Sequence, residues 1–248
     1  MFGIDHIMRG ILLSGGRATR LRPCTTVTSK GLLPIYNRPM IYYPLNTLLR
    51  AGVTDILIII SPEYAGDYVR LLGSGKEFGA RFTFEVQEEP RGLAEAFIIG
   101  EHFIGNDNVA MILSDNIFAD DLSAEIKSFK SGGKIFAKPV PDPERFGVVE
   151  VNAEGKAISI EEKPANPKSN LCITGAYVYD SRVVEVAKKV APSGRGELEI
   201  TDLHRWYMER NELEVVMIHQ EWIDAGTFDS LYEAQALAKN KLQDHLII

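Results

Sequence analysis

The chain has 248 residues, 45% of them hydrophobic and 25% charged, with a formal net charge of −7. That length and balance suit one large α/β domain, or two small ones, with a core that needs no covalent staples. The acidic balance argues against a general nucleic-acid binder, two cysteines are too few for a disulfide framework, and the longest strongly apolar run, 56–60, is far too short to span a bilayer.

Residues 1–9 lack a basic segment followed by an apolar run, so a soluble, cytoplasmic protein without a signal peptide is expected. Cys24 and Cys172 accordingly read as free thiols. Short apolar runs at 11–14, 56–61, 82–86 and 109–113 are rich in β-branched residues and read as buried strands. Helical patterns lie around them at 40–51, 65–72, 93–102 and 121–130. Pro39 suits a helix start and Gly52 a helix end. Strand alternating with helix predicts an α/β fold, an open and mainly parallel sheet flanked by helices.

From residue 134 the pattern becomes strand-rich, with strands expected at 134–139, 147–152 and 158–161. Residues 152–155 read as a hairpin turn in which Gly155 supplies positive φ. A strand at 176–179, helices at 182–190 and 202–209, a strand at 215–218 and a last amphipathic helix at 231–242 follow. No repeat, low-complexity tract or long linker interrupts the chain, which predicts a single domain, 1–248, with a strand-rich insertion.

The first chemical signal is Gly15-Gly16-Arg17-Ala18-Thr19-Arg20-Leu21, directly after the first expected strand. Glycines there let the backbone approach a ligand and turn N–H groups toward phosphate oxygens, and Arg20 adds a permanently charged fork. The spacing is neither that of a P-loop nor that of the dinucleotide fingerprint. Ten residues beyond Arg20, Lys30 supplies a second cation. Alone, the glycine run reads equally well as a tight turn, and Lys30 reads more often as a solvated lysine; together they favour polyphosphate binding.

Other chemistries fit poorly. The five histidines, His6, His102, His204, His219 and His245, are scattered without metal-ligand spacing. Gly73-Ser74-Gly75 lacks the spacing of a nucleophile elbow. Tyr42, Tyr43, Tyr177 and Tyr179 read as core or rim packing rather than a stacking platform.

The stretch 10–44 resembles the signature of the sugar-1-phosphate nucleotidyltransferases, and within them the glucose-1-phosphate thymidylyltransferases. That family carries G-G-x-G-T-R-L and then S-K-x-L-L-P-I-Y-x-x-P-M-I-Y-Y-P-L. This chain has the glycine run above, then Ser29-Lys30-Gly31-Leu32-Leu33-Pro34-Ile35-Tyr36 and Pro39-Met40-Ile41-Tyr42-Tyr43-Pro44-Leu45. The resemblance continues in order through Gln87, Gly92, Asp115-Asn116, Asp142-Pro143-Glu144-Arg145-Phe146-Gly147, Glu162-Lys163, Thr174-Gly175, Arg195-Gly196-Glu197 and Trp222-Ile223-Asp224.

The resemblance implies a Rossmann-like fold with a nucleotide-binding part over about 1–133, a sugar-binding part over about 134–230 and a C-terminal helix over about 231–243. It implies transfer of a nucleotidyl group from dTTP to glucose-1-phosphate, giving dTDP-glucose and pyrophosphate, with no nucleic-acid or membrane partner and with homo-oligomerisation left open. Gly15, Gly16, Thr19, Arg20, Gln87, Gly92 and Asp115 would bind the nucleotide, with Arg20, Lys30 and Asp115 catalytic. Gly147, Glu162, Lys163, Thr174, Gly175 and Arg195 would hold the sugar phosphate. Asp115 and Asp224 would hold Mg²⁺, an ion that takes one or two carboxylates plus substrate phosphates. The Gln87 amide matches the imide edge shared by thymine and uracil, so a UTP-using enzyme is the first alternative and a non-catalytic nucleotide-sugar sensor the second. The sugar phosphate is already anionic, so direct in-line attack on the α-phosphorus without a protein base is expected.

Several positions depart from the family pattern. Ala18 stands where the third glycine is usual, and costs about 1 kcal/mol or more if that residue needs positive φ. Ser114 replaces a glycine, and Gly31 and Glu95 replace glutamines, one of them a nucleotide contact. Longer relatives carry a C-terminal extension, so their regulatory nucleotide site and tetramer contacts are not carried over.

Overall fold

Strands that are apolar on both faces can sit only at the centre of a sheet covered twice. The computed structural model describes residues 7–243 and realises that arrangement. The chain opens with β1 (Met8–Ser14), three short 3₁₀ turns and a small ladder of β2 (Pro34–Ile35) with β3 (Arg38–Pro39). Next come α1 (Tyr42–Arg50), β4 (Asp55–Ile60), α2 (Ala65–Leu72) and β5 (Arg81–Val86). Then follow α3 (Glu95–Ile99), α4 (Glu101–Ile104), β6 (Asn108–Leu113), β7 (Asn116–Phe118) and α5 (Ser123–Lys127). The remainder holds β8 (Gly133–Pro139), β9 (Gly147–Val151), β10 (Ala157–Glu162), β11 (Leu171–Tyr179), α6 (Val183–Ala187), α7 (Ile200–Met208), β12 (Leu213–Met217), β13 (Trp222–Asp224) and α8 (Phe228–Leu237).

The main sheet runs β10-β9-β11-β6-β1-β4-β5, with β8 joining β11 to β12. Strands β6, β1, β4 and β5 are mutually parallel. β11 enters antiparallel to β6 and β8 and bulges between Ile173 and Tyr177, so that its start also meets β9. Alternate residues divide between two cores: Leu12, Ile58 and Ile112 meet α1, α2 and α5, while Ile11, Leu57 and Met111 meet α3, α4, α6 and α7. A third cluster packs Leu237 and Leu242 against Leu21, Ile35 and Met40, fixing the loop after β1.

This topology positions the site. From β1 the chain moves outward to β4 and β5, then crosses back to β6 on the other side of β1. The carboxyl ends of β1 and β6 therefore flank a switch point, where diverging loops leave a crevice. The Gly15-Gly16 loop leaves one strand there and Ser114-Asp115 leaves the other.

Some expectations are revised. Pro39 lies in the β2–β3 ladder, and α1 starts only at Tyr42. The helix expected at 93–102 is two short helices meeting at Gly100, where a Cβ would stand 3.2 Å from Ile11 and Leu57 of the sheet. β11 begins at Leu171 rather than 176, because Gly175 is not a breaker: a side chain there would overlap Asn116. Gly52 and Gly155 do have positive φ, at 75° and 77°. α8 starts at Phe228, on a capping box between Thr227 and Ser230, and winds on as a π turn through Leu242. Cys24 and Cys172 are both free. Among the described residues, no helix is long and apolar enough to cross a membrane.

Candidate active site

Three adjoining cavities open along the carboxyl edge of the sheet. One of about 360 Å³ is lined by Gly15, Gly16, Arg17, Arg22, Lys30 and Gln87. A smaller one of about 190 Å³ shares Gly16, Lys30 and Gln87 with it and adds Gly92, Asp115 and Glu197. The third, about 430 Å³, shares Leu93 and Leu113 with the second and is lined by Glu162, Lys163, Thr174, Thr201, His204 and Asp224. Together they form one cleft with two ends.

The loop after β1 is held by local bonds. Ala18 is left-handed, with φ 46° and ψ 41°, so its methyl carries the strain that glycine would avoid. Its carbonyl accepts from the Thr25 hydroxyl at 2.8 Å and from the Leu21 N–H at 3.1 Å. The adjoining Lys30 segment is tied down by Tyr68, whose buried hydroxyl lies 2.5 Å from Ser14 Oγ and 2.7 Å from Ser29 Oγ. That hydroxyl also explains Gly31, where a Cβ would come within 2.6 Å of it.

Between the two ends stands a charged ridge. Lys30 Nζ donates to Asp115 Oδ2, and Asn116 Nδ2 donates to Asp115 Oδ1 at 3.0 Å. Burial opposes ionisation of Asp115, but the Lys30 ammonium and the Asn116 amide outweigh it and hold the carboxyl below its usual value. The β7–β13 ribbon pairs Asp224 with Asn116, and the Ala225 N–H donates to the Asp115 carbonyl at 2.9 Å. Two carboxylates far apart in sequence thus share one site. Burial first, and the Asp115 charge second, push the Asp224 carboxyl up to about 6, and its Oδ1 is buried without a partner. Arg20 approaches from the other side: a Cβ on Gly226 would lie 2.7 Å from both the guanidinium and Asp224 Oδ1.

A pair of close carboxylates, one with an unsatisfied buried oxygen, fits a hard divalent cation such as Mg²⁺. Among the described residues no group of three or more His, Cys, Asp or Glu forms a complete metal cage. A cation here would therefore take its other ligands from substrate phosphates and water, as Mg²⁺ commonly does.

Residues 9–241 match the sequence model of the nucleotidyl transferase family. The chain belongs to that family. Over 238 residues it is 51% identical to a glucose-1-phosphate thymidylyltransferase of Neisseria meningitidis, covering 94% of this chain and 83% of the relative. A protein of the same name from Mycolicibacterium smegmatis is 49% identical, with 92% and 81% covered. A Bacillus anthracis protein assigned as a glucose-1-phosphate thymidylyltransferase and solved with sucrose superposes with TM-score 0.89 at 47% identity, covering 94% and 96%.

For a nucleotidyl transferase the expected residues gather unevenly. Gly15, Gly16, Lys30, Gln87, Gly92 and Asp115 line the two smaller cavities. Gly147, Glu162, Lys163, Thr174, Gly175 and Asp224 line the larger one. Gln87 is buried against Gly15, which has no room for a side chain, and its amide donates to Glu95 at 2.8 Å. Gly92 has φ 112° and packs on the Leu198 backbone.

Four of the expected residues sit in settings of their own. Arg20 lines the larger cavity beside Asp224, and Arg17 and Arg22 are the arginines on the glycine-loop cavity. Thr19 is exposed in its 3₁₀ turn and lines none of the three cavities. Thr174 lines the larger cavity, and its hydroxyl donates to the Phe136 carbonyl at 2.9 Å, bracing β11 on β8. Arg195 also stands off the cavity walls, bonded to Glu199 at 2.9 Å and Glu162 at 3.1 Å. Burial, with Glu199 close by, raises the Glu162 carboxyl despite Lys163 and Arg195.

Sequence reasoning passed over Asn116 as a functional residue. Its side chain donates to Asp115 and accepts from the Gly175 N–H at 2.8 Å and from Trp222 Nε1 at 2.7 Å, so one amide joins the ridge to β11 and β13. It lay in the quoted Asp115-Asn116 motif, but only the ribbon and the β11 bulge reveal its three partners. Arg145, beside Phe146 and Trp222 in the larger cavity, was likewise in a quoted motif without a role.

Proposed function

We propose that this chain transfers a thymidylyl group from dTTP to glucose-1-phosphate, yielding dTDP-glucose and pyrophosphate by direct in-line displacement at the α-phosphorus. The observation that carries the proposal is the ridge of Lys30, Asp115, Asp224 and Arg20 standing between two cavities. The names of the relatives supply the substrates, and the cleft has matching ends.

In this reading residues about 1–133 provide the nucleotide end. Backbone N–H groups of Gly15 and Gly16, with Arg17, Arg22 and Lys30, receive the triphosphate, and Gln87 and Gly92 border the base. Residues about 134–230 provide the sugar end, where Glu162 accepts from hydroxyls and Lys163 holds the phosphate. Arg195 reaches the phosphate only by leaving Glu199 and Glu162. The helix over about 231–243 buttresses the glycine loop. Asp115 and Asp224 would hold Mg²⁺, which when bound neutralises phosphate charge.

The attacking oxygen needs no protein base, so the protein's task is to orient two polyanions and stabilise charge on the departing pyrophosphate. Arg20 and Lys30 flank the reacting centre and serve that end. The test is pyrophosphate release across a grid of triphosphates and sugar-1-phosphates, with and without Mg²⁺. dTTP with glucose-1-phosphate should give the highest kcat/KM, and only with the metal. Preference for UTP would move the base assignment, and no release from any pair would leave a nucleotide-sugar sensor.

A further inference from the structure

His204 occupies the floor of the larger cavity and has an unexplained polar edge. It lies on α7, one turn beyond Ile200, and both line the cavity with Thr201, Tyr177 and Glu162. The residue is fully buried. Its ring packs between aromatic neighbours, 5.3 Å from Tyr177 and 6.0 Å from Tyr179. Nδ1 meets the Tyr179 hydroxyl at 2.6 Å, whereas Nε2 is buried with no partner.

The hydrogen-bond pattern favours one ring tautomer. Burial keeps Tyr179 protonated, and among the described residues its hydroxyl has no hydrogen-bond partner besides His204 Nδ1. Tyr179 therefore donates, Nδ1 accepts, and the imidazole proton resides on Nε2. Burial, with Arg205 nearby, lowers the imidazole to about 3, so the ring is neutral at ordinary pH. His204 lines the cavity and Tyr179 does not, so of the two ring nitrogens Nε2, buried and unpartnered, is the one left to meet a ligand there. A buried donor left unmet is costly, and a site built to bond a substrate hydroxyl uses such a donor to reject analogues that lack the oxygen.

We propose that His204 is a sugar-recognition residue, donating Nε2–H to one ring or exocyclic hydroxyl oxygen of the hexose-1-phosphate. This rests on the reading of the larger cavity as the sugar end of the cleft. Glu162 and His204 then play complementary parts, one accepting hydroxyl protons and the other donating to a hydroxyl oxygen. His204 touches no reacting atom, so it sets which sugar binds and leaves the chemistry of the α-phosphorus to the ridge.

The test is calorimetric binding of glucose-1-phosphate and its 2-, 3-, 4- and 6-deoxy analogues to the wild-type protein and to His204→Phe, with dTTP and a chelator present so that no turnover occurs. In the wild type one analogue should bind on the order of tenfold to a hundredfold more weakly than the parent. In His204→Phe, which keeps an aromatic ring, the parent should fall to the level of that analogue while dTTP affinity stays unchanged. Uniform weakening of all five sugars, or an unchanged rank order, would overturn the assignment. If His204→Phe does not fold, His204→Gln, which keeps an N–H donor, must retain the wild-type rank order, and losing it would overturn the inference. A protein that releases pyrophosphate yet shows no analogue dependence on His204 sinks this inference alone. One that discriminates the analogues through His204 but never turns over sinks only the proposed function.

Discussion

The two ends of the cleft are built by different means. The end proposed for the nucleotide is lined chiefly by one stretch, 15–30, with its two glycines, a left-handed Ala18 and the Lys30 turn fastened by Thr25, Ser29 and Tyr68, and is completed by 61–64 and 87–90. The end proposed for the sugar is assembled from distant elements, with β9, β10, β11, α7 and β13 each contributing. A phosphate chain can be gripped by repeated N–H groups, whereas a sugar must be recognised one hydroxyl at a time. The ridge belongs to both, with Lys30 from the first architecture and Asp224 from the second.

Breaking the ridge should have the largest effect, and the two sides should respond in opposite ways. Lys30→Met is expected to lower kcat by a factor on the order of 10²–10³, as for loss of one charge-stabilising donor. It should also lower stability in urea by about 2–3 kcal/mol, because Asp115 stays buried without its partner. Asp224→Asn should lose comparable turnover yet gain about 1–3 kcal/mol at pH 7 in the absence of metal. Its carboxyl is raised to about 6, so at pH 7 it is forced to ionise beside Asp115. Near wild-type rates in either variant would remove that residue from the reaction.

That contrast also explains what could be read in the sequence. The parallel strands were legible because runs such as Ile56–Ile60 are apolar on both faces, and the glycine loop because its residues are consecutive. Asp115 and Asp224 were legible as a pair only through the family resemblance; nothing local says that 116–118 and 222–224 form a ribbon. That Arg20 stands beside Asp224 on the larger cavity was not legible, because a loop residue's direction depends on the turn at Ala18. β11 was expected to start only after Gly175 because the demand for a glycine there comes from Asn116, 59 residues away.

A next test asks whether the sugar end depends on that single amide. Asn116→Leu strips partners from Asp115, the Gly175 N–H and Trp222 Nε1, so a loss of about 2–4 kcal/mol in urea is expected. Sugar-phosphate binding should weaken with it. A loss below about 0.5 kcal/mol, within the range of ordinary surface substitutions, would mean that the three contacts are incidental.

A smaller effect comes from pH. The imidazole of His204 is depressed to about 3, so below the ordinary histidine range the unfolded chain binds a proton that the folded chain refuses. Its contribution is complete above about pH 6.5 and is lost progressively as pH falls toward 3. Wild-type stability should therefore drop more steeply between pH 6.5 and 4.5 than that of His204→Phe, by up to about 1.4 kcal/mol per pH unit. Equal slopes would place a charged or solvated imidazole at that position.

The smallest change probes the nucleotide end. Ala18→Gly removes left-handed strain but adds unfolded-chain freedom, leaving a net gain of about 0.5–1 kcal/mol by thermal unfolding. A loss instead would show that the methyl packs usefully and that the backbone is not what limits this loop.

The central claim is that the cleft brings two phosphates together on one ridge and needs no protein nucleophile. The stereochemical course of reaction with a dTTP carrying a chiral α-thiophosphate tests it most directly. A single in-line displacement predicts inversion at the α-phosphorus in the sugar-nucleotide product. Retention would require an intermediate in which a side chain carries the thymidylyl group, and would contradict the account.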